Sequence, residues 1–437
     1  MKRNNFYQLL QWKNLRNRKP LVVFGARQIG KTYSVLEFGN KEYENVVYCN
    51  FEFDAELKSI FQKDLNPQRI IKSLEIIKNC TILKEKTLVF FDEIQACEEA
   101  LTSLKYFCEQ ENEYHIISAE SLLGLAINHG KYSFPVGKVD MLNMFPMTFD
   151  EFLIATKNDA LLEEIVEHAK TFEPMEQVIH EKALELYRTF LVVGGYPESV
   201  KTFIETGDLN LVRSVQNNIS NAYISDMSKY ASPAETVKSI AIFDSVHTQL
   251  AKENSKFQYS SIKVGARSKD YEVSLLWLES ARIVLKCRLA TEGKYPVNLY
   301  EVLDNFKLYY SDVGLLSMKM GINSTALIQN LNVSDKANGI LAENYVAQEL
   351  NAAGKKLNYW SSGNSAEVDF VFQADSVQSV IPLEVRSADN VRAKSLKKFI
   401  QLYSPSFSIR VSARNFGFEN DIKSIPLYAL FTIKNDN

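Results

Sequence analysis

The sequence predicts an α/β protein made of several units, and three observations support that prediction. A short apolar strand, Leu21–Phe24, runs into a glycine-rich loop and then into apolar residues at helical spacing. A second apolar strand ends in two carboxylates, Asp92 and Glu93. Near the C-terminus, residues 367–372 and 381–386 alternate polar and apolar side chains as strands do. At 437 residues the chain exceeds one ordinary core, so we expect roughly two to four domains.

The glycine-rich loop matches the pattern G-x-x-x-x-G-K-[ST]. Glycine lets the backbone curl around a phosphate with its N–H groups inward, and the helix that follows adds its positive dipole end. We expect Lys31 to act on the β- and γ-phosphates of ATP and Thr32 to bind Mg²⁺. A glycine turn without a ligand is the alternative. The residues predicted to hold the nucleotide are Gly25, Ala26, Arg27, Gln28, Ile29, Gly30, Lys31 and Thr32.

The acidic pair supplies the second half of such a site. Asp92 is predicted to complete the Mg²⁺ shell, and Glu93 to polarise the attacking water. One further strand, Asn45–Phe51, lies between the loop and this pair, which favours the AAA-like division of P-loop proteins. After a fourth strand at residues 113–118, Ser118 and Ser121 are the candidates for contacting the γ-phosphate. A fifth strand is predicted at residues 136–142.

The next segments predict a lid and a middle domain. Residues 148–230 are helical in pattern and suit a lid, with Gly194–Gly195 as a turn or hinge. Arg188 and Arg213 could reach a nucleotide, in cis or from a neighbouring subunit, but a surface role is the preferred interpretation. Residues 235–300 show two helices and two strands, 283–287 and 297–300, which is a winged-helix outline.

Charge and cysteine usage limit the partners and the compartment. The net charge of −3 excludes a bulk polyanion binder, so DNA could bind only through a local patch. One candidate patch interleaves Phe257 and Tyr259 with Lys252, Lys256, Lys263, Arg267 and Lys269. Acidic residues on the neighbouring helix oppose DNA binding, so a protein partner is equally open.

Five scattered cysteines without a C-x-x-C pair suggest neither a disulfide framework nor a zinc site, and fit a reduced cytoplasm. No signal-peptide core and no apolar run of membrane-spanning length is present, so no membrane association is expected. The oligomeric state is left open.

The C-terminal strands carry a second set of chemically suggestive residues. Glu343 lies on a predicted helix, Asp369 on one strand, and Glu384 and Arg386 on one face of the next. Carboxylates on adjacent strands form the metal site of metal-dependent nucleases, so Glu343, Asp369 and Glu384 are candidate metal ligands. The alternative is the polar face of an ordinary half-buried hairpin.

Taken in order, these segments resemble bacterial and archaeal AAA-type ATPases that have a C-terminal domain of unknown function. The resemblance covers nearly the whole chain and rests on the loop 25–32, Asp92–Gln95, Ser133–Val139, Phe145–Leu153, Phe306–Leu316 and the Glu343, Asp369 and Glu384 segments. It implies an AAA-like P-loop core (1–150), a helical lid (151–230), a winged-helix middle (231–325) and a restriction-endonuclease-like α/β domain of the PD-(D/E)xK type (326–437).

The chain departs from the family pattern at three places. Glu120-Ser121 stands where the family has Gly-Ser, and the residues 279–282 stand where Ala-Gly precedes the wing. Arg386 replaces the nuclease lysine. Arginine stays charged and forks its donors, whereas lysine can be tuned toward neutrality, so we expect nuclease activity to be weak or absent.

The sequence thus predicts an ATPase that uses ATP and Mg²⁺ to switch its state on a polynucleotide or protein partner. Two alternatives remain open. One is an ATP-regulated, metal-dependent DNA nuclease, and the other is a signalling or binding ATPase with negligible turnover.

Overall fold

Two β-sheets organise the computed structural model, which describes residues 3–120, 134–252, 255–363, 366–386 and 394–435. Within those ranges the first sheet has five strands and the second has eight. The glycine-rich loop follows a strand of the first sheet, and Asp369 and Glu384 lie on strands of the second sheet. The two candidate sites predicted from the sequence therefore belong to different sheets.

The first sheet is parallel throughout. Its unit comprises α1 (Asn5–Asn14), β1 (Leu21–Phe24), α2 (Lys31–Glu42), β2 (Asn45–Asn50), α3 (Ala55–Lys63), α4 (Pro67–Lys78), β3 (Thr87–Asp92), α5 (Glu98–Gln110), β4 (His115–Glu120) and β5 (Asp140–Asn143). The strand order is β2-β3-β4-β1-β5, with every neighbouring pair parallel.

This order confirms the AAA-like core, because β4 lies between β1 and β3. The carboxyl ends of parallel strands meet at one edge of a sheet. Gly25, Asp92 and Glu120, which follow or end β1, β3 and β4, therefore lie along the same edge. The fifth strand begins later than predicted because the Lys138 N–H bonds back to the Pro135 carbonyl in a turn.

Five helices fill residues 149–230 and confirm the predicted helical segment. They are α6 (Phe149–Ala155), α7 (Asp159–Thr171), α8 (Gln177–Val193), α9 (Pro197–Thr206) and α10 (Leu209–Tyr230). Local chemistry sets where they start: Thr148 and Glu151 form a capping box before α6, and the Asp208 side chain caps α10.

Arg188 and Arg213 do not have the surface role that the sequence suggested. The Arg188 Nε donates to the Ile328 carbonyl at 2.9 Å, and Arg213 Nη1 donates to Ser317 Oγ and Gln216 Oε1 at 2.8 Å each. Burial lowers the pKa of both groups, that of Arg213 to about 10. Both arginines join the helical region to the segment around residues 314–328.

The middle of the chain has the predicted order of two helices and a hairpin. Its elements are α11 (Pro233–Leu250), α12 (Glu272–Ser280), β6 (Val284–Ala290) and β7 (Glu301–Tyr310). Val297–Tyr300, predicted as a strand, is instead a 3₁₀ turn in which the Leu299 N–H donates to the Pro296 carbonyl. The strand begins only after this turn.

The second sheet is mixed and includes that hairpin. The remaining elements are α13 (Val313–Lys319), α14 (Ser324–Ile328), α15 (Asp335–Ala352), β8 (Asn358–Ser361), β9 (Glu367–Ala374), β10 (Ser379–Val385), α16 (Lys394–Tyr403), β11 (Ser408–Ser412), β12 (Gly417–Glu419) and β13 (Ile422–Pro426). A run of 3₁₀ turns covers Leu427–Asn435. The strand order is β12-β13-β11-β10-β9-β8-β6-β7.

The hairpin β6–β7 is thus one end of a larger sheet and not a free-standing wing. It precedes the predicted domain boundary at residue 326, yet it shares its sheet with strands that follow that boundary. The winged-helix interpretation and the boundary both stay predictions. Across the described ranges, the helices include none with the length and apolar character needed to cross a membrane.

A buried carboxylate, Asp312, joins the units. Its Oδ2 accepts from the Gly195 N–H at 2.6 Å and its Oδ1 from the Leu315 N–H at 2.9 Å. The Met147 N–H in turn donates to the Gly195 carbonyl at 2.6 Å. A Cβ on Gly195 would lie 2.1 Å from the Met147 carbonyl oxygen. The Gly194–Gly195 segment is therefore a closely packed turn.

We expect Gly195→Ala to lower the thermal stability of the protein, because its methyl group would overlap the backbone of Met147. Overpacking of this kind costs about 1–3 kcal/mol. Melting followed by circular dichroism measures the effect. Gly417→Ala is the matched control, since its Cβ would meet no atom closer than 3.9 Å. Equal melting temperatures for the two variants would show that the turn accommodates the added methyl group without loss of stability.

Candidate functional site

The loop between β1 and α2 has a backbone that requires glycine at two positions. A Cβ on Gly25 would lie 2.6 Å from the Met144 carbonyl oxygen, and Gly30 has a φ of +87° directly before α2. Gln28 also has a positive φ, of 65°. A chain bent in this way turns successive N–H groups toward one side, which is the geometry that binds anions.

Lys31 lies folded back over this loop. Its Nζ donates to the carbonyls of Gly25 at 2.9 Å and Ala26 at 2.8 Å. Burial is the largest influence on its pKa and lowers it to about 8, against the opposing charges of Glu93 and Asp92. The two acceptors are neutral, so a phosphate would offer the ammonium a stronger partner.

Thr32 and Asp92 are brought together by the structure. Asp92 ends β3, and its Oδ2 accepts from Thr32 Oγ1 at 2.8 Å and from the Tyr48 hydroxyl at 2.9 Å. Burial raises the pKa of Asp92. A hydroxyl and a carboxylate side by side are ligands that Mg²⁺ accepts, so these residues fit that ion.

Sequence reasoning missed the Tyr48 contribution. Asn50 Nδ2 donates to the Tyr48 hydroxyl at 3.0 Å, which places both side chains in the network around Asp92. The available signal was their alternate spacing in β2, since residues two apart point to the same face of a sheet.

Glu93 follows Asp92 with a left-handed backbone, φ 50° and ψ 45°. A non-glycine residue pays roughly 1–2 kcal/mol for this conformation. Its N–H donates to Asp92 Oδ1 at 3.2 Å, and its carboxylate accepts from Gln95 Nε2. The charge of Glu93 acts on both Lys31 and Glu120, so it lies centrally at this edge of the sheet.

Of the two serines proposed to contact the γ-phosphate, the structure describes Ser118, and it does not place Ser118 at the site. Ser118 is buried, and its hydroxyl donates to the Leu21 carbonyl at 3.3 Å inside the sheet. Ser121 lies outside the described residues. Among the described residues at the end of β4, Glu120 is the one whose charge acts on Lys31.

Glu120 is a buried carboxylate beside the loop. It lies in register with Phe24, the residue before Gly25, and is fully buried. Neither of its carboxylate oxygens has a hydrogen-bond partner among the described residues. Burial, and then the charge of Glu93, raises the pKa of Glu120 to about 8. The departure from the family pattern at this position thus introduces an ionisable group into the site.

Arg27 connects the loop to the helical region. Its Nη1 lies 2.5 Å from Asp226 Oδ1 on α10, and the Tyr223 hydroxyl donates to the Arg27 carbonyl at 3.1 Å. Burial raises the pKa of Asp226, and the Arg27 charge opposes that rise. Arg27 therefore has a protein partner in addition to any contact with a nucleotide.

Arg3 is a second arginine at the loop that sequence reasoning did not assign. It is buried, its Nη1 donates to the Ile29 carbonyl at 2.8 Å, and its Nε pairs with Glu151 at 3.1 Å. Ile29 itself is fully buried. Arg3 thus fastens the N-terminal segment to the back of the loop.

A largely apolar cavity of about 540 Å³ adjoins the loop. It lies between the start of α2, represented by Tyr33 and Ser34, and α9, represented by Pro197 and Ile204. The Ser34 hydroxyl is buried and has no partner among the described side chains and backbone. A flat apolar group with a polar edge suits this space.

At the second sheet, a lysine that the sequence analysis overlooked lies among the carboxylates. The Lys307 Nζ on β7 is 2.9 Å from Glu343 Oε1 and 2.9 Å from Glu367 Oε1. Burial by itself lowers the pKa of Lys307, but Glu343, Glu367 and Asp369 outweigh it and hold the pKa well above its ordinary value. The sequence signal was one charge in the otherwise apolar run 306–310.

The other residues of this cluster are also paired. Glu384 on β10 and Arg386, the first residue after that strand, form an ion pair through Glu384 Oε1, whereas Glu384 Oε2 is buried without a hydrogen-bond partner among the described residues. Asp369 Oδ2 accepts from the Val385 N–H at 2.7 Å. Burial, and next the charge of Glu343, raises the pKa of Asp369. In the described part of the chain, no three His, Cys, Asp or Glu side chains are grouped so as to hold a metal ion. The metal role of Glu343, Asp369 and Glu384 stays a prediction.

Three consecutive parts of the chain match known families. Residues 17–153 match a family described as an AAA domain. Residues 184–326 and 338–430 match two families described as domains of unknown function, DUF8612 and DUF4143. The chain therefore contains an AAA-type P-loop ATPase domain followed by a C-terminal domain of unknown function, as the resemblance implied.

The uncharacterized protein MJ1544 of Methanocaldococcus jannaschii is 26% identical over 181 residues, which are 41% of this chain and 36% of that protein. The matched segment thus spans about a third of the relative.

Among solved structures, the Walker-type ATPase PABY2304 of Pyrococcus abyssi is 14% identical, with a TM-score of 0.46, over 73% of this chain and 95% of its own. ORC1 of Aeropyrum pernix, solved in complex with DNA, has 10% identity and a TM-score of 0.30 over 75% and 94%. AMPPCP-bound DnaA of Aquifex aeolicus has 15% identity and a TM-score of 0.28 over 63% and 87%. These scores are low, so the likenesses carry no argument about function.

We expect Glu120→Gln to change how stability depends on pH. The pKa of Glu120 is about 8 in the folded chain, against an ordinary value of 4.5, so the folded state binds more protons between these values. The favourable contribution of the neutral carboxyl is complete below pH 4.5 and is lost as the pH rises to about 8. Across that window the free energy of unfolding of the wild type should fall relative to that of Glu120→Gln by an amount on the order of a few kcal/mol, so its melting temperature should fall as well.

Melting curves at several pH values measure this difference. The exposed Glu56→Gln is the control, and its curve should run parallel to that of the wild type. A parallel curve for Glu120→Gln as well would contradict a buried, proton-binding carboxyl.

Proposed function

We propose that this AAA-type chain is an ATP-binding and ATP-hydrolysing switch that acts on a polynucleotide or protein partner. The observation that carries the proposal is the 2.8 Å contact between Thr32 Oγ1 and Asp92 Oδ2. It joins the helix start after the glycine loop to the end of the acidic strand, the two places that supply oxygens to nucleotide-bound Mg²⁺.

ATP binding draws Lys31 away from the loop carbonyls. The ammonium exchanges two neutral acceptors for phosphate oxygens, whose negative charge adds an electrostatic attraction that the carbonyls lack. The loop N–H groups and the N-terminus of α2 meet the same anion. Mg²⁺, when bound, neutralises the phosphate oxygens, and Thr32 and Asp92 are the residues that would hold it.

Hydrolysis requires a group that orients and deprotonates water, and Glu93 takes that role. The left-handed backbone of Glu93 directs the chain away from the axis of β3, and Gln95 donates a hydrogen bond to the Glu93 carboxylate. A held carboxylate at the edge shared with Lys31 can act as a general base. Asp92, already engaged by Thr32 and Tyr48, is suited to holding charge and not to moving a proton.

The purine base occupies the apolar cavity beside the loop. Tyr33 and Pro197 offer flat or apolar surfaces, and the unpartnered Ser34 hydroxyl offers one hydrogen bond to a ring nitrogen. Since α9 forms one wall, a bound base would hold the helical region against the parallel sheet.

The switch itself runs through Arg27. A γ-phosphate competes with Asp226 for this guanidinium, so nucleotide state changes how strongly the loop holds α10. Helix α10 in turn reaches the Gly194–Gly195 turn, because Gln216 Nε2 donates to the carbonyls of Val192 at 2.8 Å and Val193 at 3.0 Å.

If the partner is DNA, it contacts the chain through exposed basic side chains. Lys252, Lys263, Arg267 and Lys269 are exposed. Phe257, however, is buried and stacked on Phe306, so it does not offer a surface for base stacking. Such a patch would bind phosphates electrostatically, and a protein with an acidic surface fits it equally well. We place this activity in the cytoplasm, as the unpaired cysteines suggest.

We expect Lys31→Ala to abolish ATP binding and turnover, because it removes the buried charge that reaches the phosphates. Isothermal titration with ATP and a phosphate-release assay measure the two quantities. Lys41→Ala is the matched control, since Lys41 is an exposed residue at the other end of α2. Undiminished turnover in Lys31→Ala would refute the nucleotide assignment.

Glu93→Gln should retain ATP binding while phosphate release falls by about 10² to 10⁴, the usual contribution of a general base. Glu98→Gln, in the first turn of α5, is the control and should turn over normally. If wild-type turnover is already negligible, the chain is a binding protein that signals its nucleotide state. If Glu93→Gln loses binding with the fold intact, Glu93 has a metal-holding or structural role instead.

A further inference from the structure

The carboxylate cluster of the second sheet contains its own cation. Lys307 is buried, its side chain is only 2% exposed, and its Nζ lies 2.9 Å from carboxylate oxygens of both Glu343 and Glu367. The Tyr359 ring covers the ammonium at 5.1 Å. The Glu343 oxygen that binds Lys307 also accepts from the Tyr309 hydroxyl.

The three residues that would ligate a metal are each engaged elsewhere. Glu343 binds Lys307, Glu384 pairs with Arg386, and Asp369 accepts from the Val385 N–H at 2.7 Å. A divalent ion at this place would have to compete with the Lys307 ammonium for Glu343 and would be repelled by it. The residues present therefore do not fit the metal that the nuclease resemblance implies.

We infer that the Lys307 ammonium is the resident cation of this cluster and keeps divalent metal ions out of it. The inference is independent of the ATPase proposal, because it concerns the second sheet alone. It also makes the site inert as a metal-dependent nuclease, whatever the identity of residue 386.

Lys307 does not act as a relocated nuclease lysine. Such a lysine must meet the attacking water, whereas Lys307 is enclosed and bound to two carboxylates. Its effect is to join two parts of the fold. β7 is separated from β9 by β6 and β8 in the sheet, and Lys307 ties β7 to the start of β9 and to α15.

Binding of Mn²⁺ to the nucleotide-free full-length protein, followed by electron paramagnetic resonance, tests the inference. The wild type and Asp369→Asn should bind the same number of ions, because the inference holds that the cluster binds none. Any ions bound at the phosphate loop are common to both proteins, so a difference between them would report on the cluster. Lys307→Met should bind one more Mn²⁺ than the wild type, and Lys307→Met/Asp369→Asn should lose it. Lys286→Met, on the neighbouring strand, is the matched control and should show no gain.

A wild type that binds more Mn²⁺ than Asp369→Asn would overturn the inference, as would a folded Lys307→Met that gains none. If Lys307→Met does not fold, Lys307→Gln takes its place and should likewise gain one Mn²⁺ over the wild type. Reduced binding in Asp369→Asn relative to the wild type refutes the inference in either case. Plasmid nicking in Mn²⁺ by the wild type, abolished by Asp369→Asn, would also refute it.

Discussion

The buried carboxylate of Asp312 is the interaction on which the arrangement of the units depends. It accepts hydrogen bonds from the N–H groups of Gly195 and Leu315, which belong to the helical region and to the start of α13. Burial raises the pKa of Asp312 to about 6, and these backbone donors oppose the rise. Removing either donor would leave one oxygen of this buried carboxylate without that hydrogen bond, which is costly. The turn at Gly195 therefore cannot move without disturbing the start of α13.

Two buried lysines in this chain have opposite roles because their acceptors differ. Lys31 is held by two neutral carbonyls, whereas Lys307 is held by two carboxylates. A hydrogen bond from an ammonium to a carbonyl involves one charge and contributes about 1.5–3 kcal/mol, whereas an ammonium beside a carboxylate also gains the attraction between two opposite charges. An incoming anion can therefore take Lys31, while Lys307 has no better partner to move to. Under the proposed function the Lys31 ammonium serves the nucleotide site, whereas the Lys307 ammonium connects parts of the fold.

Polar contacts on two sides connect the glycine-rich loop to the helical region. Arg27 reaches α10 through Asp226, and Tyr223 of the same helix donates to the Arg27 carbonyl. On the other side, Arg3 binds the Ile29 carbonyl and Glu151 at the start of α6. These contacts link the glycine-rich loop directly to α10 and α6. Glu120 adds an unpaired carboxyl within this network, and its protonation alters the local charge near neutral pH.

Local patterns in the sequence were sufficient for the first sheet and the loop. The order of strand, glycine loop and helix, and the acidic end of β3, follow from residues close together in the chain, and parallel strand ends meet at one edge whatever lies between them. The helices of residues 149–230 and the presence of strands β9 and β10 were predictable for the same reason, but β10 is buried on both faces from Val380 to Val385 and does not alternate as its sequence predicted. Val297–Tyr300 was not, because a 3₁₀ turn after Pro296 has the same apolar residues as a short strand.

The tertiary structure alone decided what the polar residues do. Sequence spacing placed Glu343, Asp369 and Glu384 near one another, but it did not reveal that β7 joins the same sheet and brings Lys307 to them. Nor did it show that Glu120 is buried or that Arg213 donates to Ser317, since burial and these contacts depend on segments that are far apart in the sequence. By itself the sequence determined the nucleotide loop and its acidic strand, whose residues act through local geometry. Which charges are paired was decided only by folding, because their partners lie far along the chain.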